Sequence, residues 1–276
     1  MEFLLLYTRQ TQVCAVTNDN EDVQLSLVQL DNYGPWTVTP SPRRETDLQS
    51  LQAHLYADFA DFVGREDGYA FFDRFDNIIG VTNGIDRRTH ERFQEHVRNR
   101  YPVTASIGIG AAPTPVAALG RATEQLQDAG SAQDPNRTEI LAADGTVAPG
   151  EGEVTIAHFD IVDVTGTYTD SEHAARTTLD VRRATLELAE YMQTEHDSIA
   201  RFVGGDNIIA VCPHLSEDCF DEARDAVRER ADIELQVGVG RGLTAHDAGY
   251  RAKLALEECR ENGHRVHQIT TQVATD

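Results

Sequence analysis

Four aspartates recur in register along the chain and could build metal sites. The heptapeptide Phe-Asp-Asn-Ile-Ile-Gly-Val around Asp76 returns as Gly-Asp-Asn-Ile-Ile-Ala-Val around Asp206. Upstream, Asp31 and Asp160 each end an apolar run, and their separation matches that of the heptapeptides to within one position. Facing carboxylates repel each other, and a hard divalent cation such as Mg²⁺ relieves that repulsion while it also binds phosphate oxygens and water. The pattern therefore predicts a two-carboxylate site in each copy.

A single Asp at the end of a strand is often only a turn residue. Recurrence of the Asp in a second copy is what distinguishes a metal site from a turn. The motif Ser-Ile-Gly-Ile-Gly at 106–110 returns as Gln-Val-Gly-Val-Gly at 236–240, at the same offset as the heptapeptide. Three matches in register indicate a tandem duplication with the period of a domain, which is too long for a solenoid repeat. Two aspartates present in both copies favour the metal site over the turn.

Hydrophobic periodicity predicts the same order of elements in both copies. The first copy predicts strands at 23–30, 69–72, 78–81 and 103–109 and helices at 44–63, 86–100 and 114–128. The second copy predicts strands at 154–159, 199–203, 208–211 and 234–239 and helices at 170–196, 217–230 and 244–260. The order β-α-β-β-α-β with a trailing helix is ferredoxin-like. The predicted fold is α+β, a tandem duplication of two ferredoxin-like (βαββαβ) domains.

The division into domains follows the repeat. Residues 1–22 lie outside it as an N-terminal extension, and residues 23–133 form the first copy. Residues 134–152 are rich in Asp, Gly, Pro and Thr, as linkers often are, and residues 153–276 form the second copy.

The predicted sheet places the first and third strands side by side, so the Asp that ends one faces the Asp in the adjoining hairpin. We expect Asp160 and Asp206 to bind the metal, and Asp31 and Asp76 to form the matching pair. In the second copy the hairpin contains Gly204 and Gly205, which would let a phosphate approach the backbone closely. The first copy has Arg-Phe at these places, so we expect the second copy to hold the triphosphate and its metals.

Substrate contacts are expected around both carboxylate pairs. A loop follows each strand-end Asp, at 32–36 and 161–166, and its backbone N–H groups could attract phosphate. The consecutive cations Arg43 and Arg44 could recognise phosphate or base with their planar forks, or they could be an ordinary exposed pair. The candidate substrate-binding residues are Asn32, Arg43, Arg44, Asn77, Thr165, Gly166, Gly204, Gly205 and Asn207.

Composition restricts the classes of partner. The chain has 46 acidic and 24 basic side chains, a net charge of −22, and Lys253 is its only lysine. Such a balance is typical of proteins from a high-salt cytoplasm, where screening limits self-repulsion, although a GC-rich genome would also favour Arg over Lys. Nucleic acids and anionic membranes need a positive surface, so neither is an expected partner. No apolar stretch is long enough to span a bilayer, and we expect a cytoplasmic protein.

Several segments resemble archaeal GTP cyclohydrolase III of the haloarchaeal type. They include Asp-Asn-Tyr-Gly-Pro-Trp-Thr-Val-Thr-Pro at 31–40, Pro-Arg-Arg-Glu at 42–45, Arg-Phe-Asp-Asn at 74–77, Ala-His-Phe-Asp-Ile at 157–161 and Gly-Gly-Asp-Asn at 204–207. The last motif alone would be weak, because diguanylate cyclases and class III nucleotide cyclases use a related hairpin. Together the segments run from about residue 23 to near residue 260, and residues 1–22 depart from the family.

The resemblance implies two palm or nucleotide-cyclase-like domains that need two or more Mg²⁺ ions and are stimulated by a monovalent cation such as K⁺. The implied metal contacts are Asp160, Ile161 and Asp206, of which the two aspartates are the catalytic residues, with Asp31 and Asp76 in the first copy. Water would open the imidazole ring of GTP at C8, with the formyl group retained. The product would be 2-amino-5-formylamino-6-ribosylamino-4(3H)-pyrimidinone 5′-monophosphate plus inorganic phosphate, a precursor of riboflavin and deazaflavin. The resemblance also implies a homo-oligomer.

Two other functions stay open on the sequence. A nucleotidyl cyclase of the diguanylate type would share the scaffold and the metals. A nucleotide-sensing module without turnover would also fit a duplicated cyclase-like domain. The identity of the product distinguishes the three.

Overall fold

The computed structural model describes residues 22–134, 137, 139–162 and 174–270. The strands of the first half are β1 (Val23–Asp31), β2 (Tyr69–Phe72), β3 (Asn77–Val81), β4 (Thr104–Ala112) and β5 (Leu141–Asp144), and its helices are α1 (Tyr33–Val38), α2 (Glu45–Gly64), α3 (Arg87–Arg100) and α4 (Pro115–Asp128). The strands of the second half are β6 (Val154–Ile161), β7 (Ile199–Gly204), β8 (Asn207–Cys212), β9 (Leu235–Gly242) and β10 (Val266–Ile269), and its helices are α5 (Ala174–His196), α6 (Glu217–Ala231) and α7 (Ala245–Asn262).

Each half forms one five-stranded sheet, and the two sheets share one topology. The strand orders are β2-β3-β1-β4-β5 and β7-β8-β6-β9-β10. In each, the first strand pairs antiparallel with the third and the fourth, and the fifth adds in parallel at the edge. The predicted ferredoxin-like duplication is therefore confirmed, and each sheet carries one strand beyond the βαββαβ unit.

The sheets and helices stack in layers around three apolar cores. Helices α2 and α3 cover one face of the first sheet, and α5 and α6 cover one face of the second. The opposite faces carry α4 and α7, whose side chains join both sheets in one shared core. The two repeats consequently meet through a buried apolar interface, which fixes the two candidate sites relative to each other.

The glycines of the repeated motif allow α4 and α7 to lie directly on the sheets. A Cβ added at Gly108 would lie 2.0 Å from the backbone oxygen of Ala122 in α4. A Cβ at Gly238 would lie 2.2 Å from the backbone oxygen of Ala252 in α7. Real Cβ atoms do not approach so closely, so the motif is a close-packing device. It carries no chemistry of its own.

Two hydrogen bonds join the repeats reciprocally. The amide of Val116 at the start of α4 donates to the Asp197 carbonyl at 3.1 Å. The amide of His246 at the start of α7 donates to the Asp67 carbonyl at 2.9 Å. The two donors occupy equivalent positions of the two repeats, and so do the two acceptors, so the interface itself follows the duplication.

The structure differs from the sequence prediction in three short elements. The Gly-Pro pair at 34–35 was expected in a loop, but it lies within the short helix α1, where a proline in the first turn costs no hydrogen bond. The segment predicted as the linker contains β5, which pairs in parallel with β4. Strand β10 was not predicted. Within the described residues, no helix is long and apolar enough to cross a membrane.

Candidate functional site

The second repeat brings Asp160 and Asp206 to one end of its sheet. Asp160 is the penultimate residue of β6 and pairs with Asn207, the first residue of β8. Asp206 precedes Asn207 in the tight turn between β7 and β8. The sheet pairing expected from the sequence is confirmed, and it sets the two carboxylates beside each other.

Asp160 is almost fully buried, with 4% of its surface exposed. The side-chain amide of Gln236 in β9 donates to its Oδ2 at 2.8 Å. Arg260 at the end of α7 forms an ion pair with the other oxygen, with Nη2 2.9 Å from Oδ1. One oxygen of the carboxylate is thus balanced by a cation whose side chain is 40% exposed.

Asp206 is held in an unfavourable environment for its charge. Its partial burial and then the negative charge of Asp160 raise its pKa, while Arg260 partly offsets this effect. A carboxyl destabilised by a like charge is the arrangement that a bound cation relieves. The effect of Asp160 on the pKa of Asp206 is the effect expected of two carboxylates that share one site.

A polar chain supports the hairpin from β6. His158 donates from Nε2 to the Asn207 side-chain oxygen at 2.8 Å, and the Asn207 amide donates to Asp206 Oδ1 at 3.0 Å. Burial lowers the pKa of His158, with the nearby cations Arg260 and Lys253 contributing. His158 is therefore a neutral donor that orients Asn207 and, through it, Asp206. The structure therefore places this histidine at the site.

Helix α7 contributes two cations, one of which is the only lysine of the chain. Lys253 and Arg260 lie two turns apart on α7, and both act on His158 electrostatically. Cations beside a carboxylate pair can neutralise the outer phosphates of a nucleotide. Sequence reasoning missed Gln236 and Arg260. Lys253 was noted only as the single lysine of the chain. That single occurrence was the signal that could have marked it as a site residue.

The glycines of the hairpin have backbones that other residues rarely adopt. Gly204 has φ 124° and Gly205 has φ 63°. In the first repeat Phe75 stands in place of Gly205 with nearly the same φ of 65°, and its ring packs on Phe72 at 4.6 Å. Of these two hairpins, only the second leaves its backbone uncovered by a bulky side chain, as close approach by a phosphate requires.

The residues present fit a divalent cation, although they do not enclose one. Asp160 and Asp206 supply carboxylate oxygens, and Ile161 follows Asp160 with a buried side chain. The described residues contain no cluster of three or more His, Cys, Asp or Glu side chains that could hold a metal. Mg²⁺ commonly takes only one or two protein carboxylates and completes its shell with phosphate oxygens and water. Thr165 and Gly166, two predicted substrate contacts, lie outside the described residues.

The first repeat does not reproduce this arrangement. Asp31 is buried, and it accepts hydrogen bonds from Thr104 at 2.9 Å and Ser106 at 2.7 Å. Its Oδ1 also lies 3.5 Å from Nε of Arg137, whose side chain is 3% exposed. Asp76 is 39% exposed and lies 3.9 Å from Arg74. The carboxylate of Asp31 is thus already neutralised by protein groups.

The remaining predicted contacts belong to the first repeat, where Asn77 begins β3, Asn32 precedes α1, and Arg43 and Arg44 precede α2. The Asn77 amide, in its hydrogen-bonding orientation, accepts from Arg74. Asn32 has φ 51° and precedes α1, and its side-chain oxygen is buried without a hydrogen-bond partner among the described residues. The Arg43 guanidinium lies 4.0 Å over the Trp36 ring. Arg44 forms an exposed pair with Asp47 at 2.9 Å, which favours the ordinary surface pair over a phosphate contact for this residue.

Comparison with known proteins identifies the family. The family model described as GTP cyclohydrolase III matches residues 25–275. The chain belongs to the GTP cyclohydrolase III family. It is 56% identical over 245 residues to "GTP cyclohydrolase III 2" of Halobacterium salinarum, in a match that covers 88% of this chain and 97% of that protein. It is 47% identical over 238 residues to GTP cyclohydrolase III of Methanocaldococcus jannaschii, covering 86% of this chain and 88% of the relative.

Among solved structures, the coiled coil and GGDEF domain of DgcB from Caulobacter crescentus matches 42% of this chain and 70% of its own. The TM-score is 0.38 and the sequence identity is 18%. The family assignment rests on the match over nearly the whole chain to GTP cyclohydrolase III proteins of both haloarchaea and methanogens.

Proposed function

We propose that this protein hydrolyses GTP at C8, opening the imidazole ring while the formyl group is retained. Water adds to C8, the bond between C8 and N9 breaks, and the formyl group stays on N7. The outer phosphates leave by hydrolysis and end as inorganic phosphate. The product is 2-amino-5-formylamino-6-ribosylamino-4(3H)-pyrimidinone 5′-monophosphate. Support comes from relatives that are named GTP cyclohydrolase III and match almost end to end.

The observation that carries the assignment to the second repeat is the coupling of Asp160 and Asp206. The second repeat sets the buried carboxylate of Asp160 beside Asp206, whose pKa it raises. Bound Mg²⁺ would supply charge neutralisation at the phosphates and could activate water. The role of Asp160 and Asp206 would be to bind that Mg²⁺ ion. Lys253 and Arg260 offset the negative charge of the triphosphate from the side of α7.

The backbone of the hairpin and its support position the substrate. No atom of the residues that the structure describes lies within 4 Å of a Cβ built on Gly204, and the nearest atom to a Cβ built on Gly205 is the Asn207 side-chain nitrogen at 3.5 Å, so a ligand can approach their main-chain groups. His158 fixes Asn207, whose amide is shared between Asp206 and the Gly204 carbonyl at 3.0 and 3.3 Å. This network preorganises the turn, so little reordering is needed when a nucleotide binds.

We also propose Mg²⁺ as the metal, stimulation by K⁺, and a homo-oligomeric protein. Large exposed apolar side chains support assembly: Leu179 and Leu186 on α5 are 59% and 66% exposed, and Tyr250 and Leu254 on α7 are 61% and 42% exposed. Sedimentation in molar KCl measures the assembly. Replacing KCl with tetramethylammonium chloride at equal ionic strength should lower turnover if K⁺ acts specifically.

The test is incubation with GTP and Mg²⁺ in molar KCl while the ultraviolet spectrum and released phosphate are followed together. Loss of the purine spectrum with phosphate release supports ring opening. Release of phosphate or pyrophosphate with an intact purine spectrum would instead indicate a cyclase or phosphohydrolase. No change in either signal would indicate a binding module.

A further inference from the structure

A cavity of about 410 Å³ opens on the first repeat, at the place that corresponds to the carboxylate site of the second. It lies between α4, β1 and the hairpin that joins β2 to β3. Leu27, Leu119 and Leu126 form its apolar wall. Polar side chains line the rest, among them Gln29, Asp73 and Thr123. Its size is within the range of about 300–1,000 Å³ that is typical of small-molecule sites.

The charges around this cavity are already paired. Asp73 Oδ1 lies 2.9 Å from Nη2 of Arg201 in the second repeat. Arg74 lies near Asp76 and hydrogen-bonds Asn77. The two cations that α7 brings to the second site have no counterpart on α4, because Thr and Gly occupy the equivalent positions 123 and 130. The cavity is thus unsuited to a triphosphate, whose charge would need free cations.

A buried polar group lies behind the cavity wall. Arg137 donates from Nη1 to the Gln29 side-chain oxygen at 3.0 Å and to the Gly130 carbonyl at 3.2 Å, and both residues line the cavity. Its Nη2 is buried and has no hydrogen-bond partner in the part of the chain that the structure describes. Because Arg137 occupies the Gln29 oxygen, the amide nitrogen is the group that Gln29 can still offer as a donor.

We infer that this cavity is a second ligand site, which binds the uncharged heterocycle of a purine nucleoside and does not overlap the carboxylate site. Leucine side chains contact the faces of a planar ring, while amide and hydroxyl groups at fixed positions hydrogen-bond its edge. The volume accommodates a nucleoside, and the paired charges disfavour added phosphates. The cavity does no chemistry, since Asp31 is held by Thr104, Ser106 and Arg137.

The experiment measures binding of guanosine to the full-length protein by calorimetry, without turnover, so its outcome is independent of the proposed reaction. Four proteins are compared: wild type, Thr123→Trp, Gln125→Trp and Asp206→Asn. Thr123→Trp fills the cavity from α4. Gln125→Trp adds the same bulk to the same helix at a residue that does not line it.

The inference predicts that guanosine binds wild type, Gln125→Trp and Asp206→Asn alike, and binds Thr123→Trp about tenfold or more weakly, a loss of about 1.4 kcal/mol. Absence of binding to the wild type would overturn it. So would loss of binding in Asp206→Asn with retention in Thr123→Trp, because guanosine would then occupy the second repeat. If thermal melting shows Thr123→Trp to be unfolded, Thr123→Lys, which installs the residue of the second repeat, replaces it under the same criteria.

Discussion

Arg260 reaches Asp160 at 2.9 Å from the end of α7, and the equivalent position in the first repeat is Gly130. Asp31, the counterpart of Asp160, is instead paired with Arg137, which lies beyond the end of α4. Arg137 is buried and fixed, whereas the Arg260 side chain is 40% exposed. Two matching and equally buried aspartates are therefore paired with different cations, a buried arginine in the first repeat and a partly exposed one in the second.

The two hairpin aspartates should differ in their effect on turnover. Asp206→Ala removes one of the two coupled carboxylates, and we expect activity to fall by roughly 100-fold or more, as for removal of a group that stabilises transition-state charge. Asp76→Ala is the matched control at the equivalent position and should stay within a few-fold of wild type. The measurement is kcat for GTP, with circular dichroism as the check on folding. Equal losses in both variants would contradict the asymmetry of the repeats.

The raised pKa of Asp206 predicts a pH-dependent cost in stability. At pH values below the ordinary carboxyl pKa of 3.8, Asp206 is protonated in both the folded and unfolded states and contributes nothing. As pH rises through the higher folded pKa, the folded protein must ionise an unfavourably placed group and loses stability. Asp206→Asn should therefore melt at a higher temperature than wild type at pH 7 in EDTA, and the difference should shrink toward pH 4. A lower melting temperature at pH 7 would contradict this.

Arg260 should compete with the metal for Asp160. Arg260→Met removes the competing cation but retains the apolar stem, so we expect half-maximal Mg²⁺ binding at a several-fold lower concentration. Titration calorimetry with MgCl₂ in the absence of nucleotide measures this. Arg65→Met, which removes an exposed cation paired with Asp61 on α2, is the control and should leave Mg²⁺ binding unchanged. Weaker Mg²⁺ binding by Arg260→Met would show that Arg260 and Mg²⁺ do not compete for Asp160.

The first glycine of the hairpin should be the less replaceable one. Gly204 has φ 124°, which L-residues rarely adopt, so Gly204→Ala should cost about 1–3 kcal/mol of backbone strain or force the turn to change. No described atom lies within 4 Å of a Cβ built there, so steric conflict makes no contribution. Gly205 has φ 63°, which Asn tolerates, and Gly205→Asn should cost only a few tenths of a kcal/mol. Urea unfolding separates the two, and equal costs would contradict the prediction.

The ion pair between Asp73 and Arg201 should stabilise the contact between the repeats. Both side chains are about one-quarter exposed, so screening by water is partial. A double-mutant cycle with Asp73→Asn and Arg201→Met should give a coupling of about 0.5–1 kcal/mol, reduced in molar KCl. The same cycle on the exposed pair of Arg44 and Asp47 should give a smaller value.

The sequence was sufficient for the βαββαβ core because the duplication repeated the elements of that core in both halves. Strands β1 and β6, with their aspartates, were recognisable from alternation and from the offset between copies. The neighbouring order of β1 with β3 and of β6 with β8 followed from the order of elements. Short pieces such as α1 and β10 carry too few residues for a periodic signal, and they exist because tertiary contacts hold them.

The carboxylates of the site were predictable, whereas their partners were not. Asp160 and Asp206 lie in a repeated motif, but Gln236 and Arg260 approach them only through the pairing of β9 and the packing of α7. No local pattern marks such long-range contacts. Comparison of the copies would have shown Gly130 opposite Arg260, yet only the structure shows that this position faces the carboxylates.

The central claim is that the ring of GTP is opened and its formyl carbon kept. Mass spectrometry of the nucleotide product after incubation with Mg²⁺, molar KCl and GTP tests it most directly. The account predicts a monophosphate heavier than GMP by one water molecule, formed by wild type and Asp76→Ala and absent with Asp206→Ala. A product with the mass of GMP, of a cyclic nucleotide, or of a ring-opened species that has lost formate would contradict it.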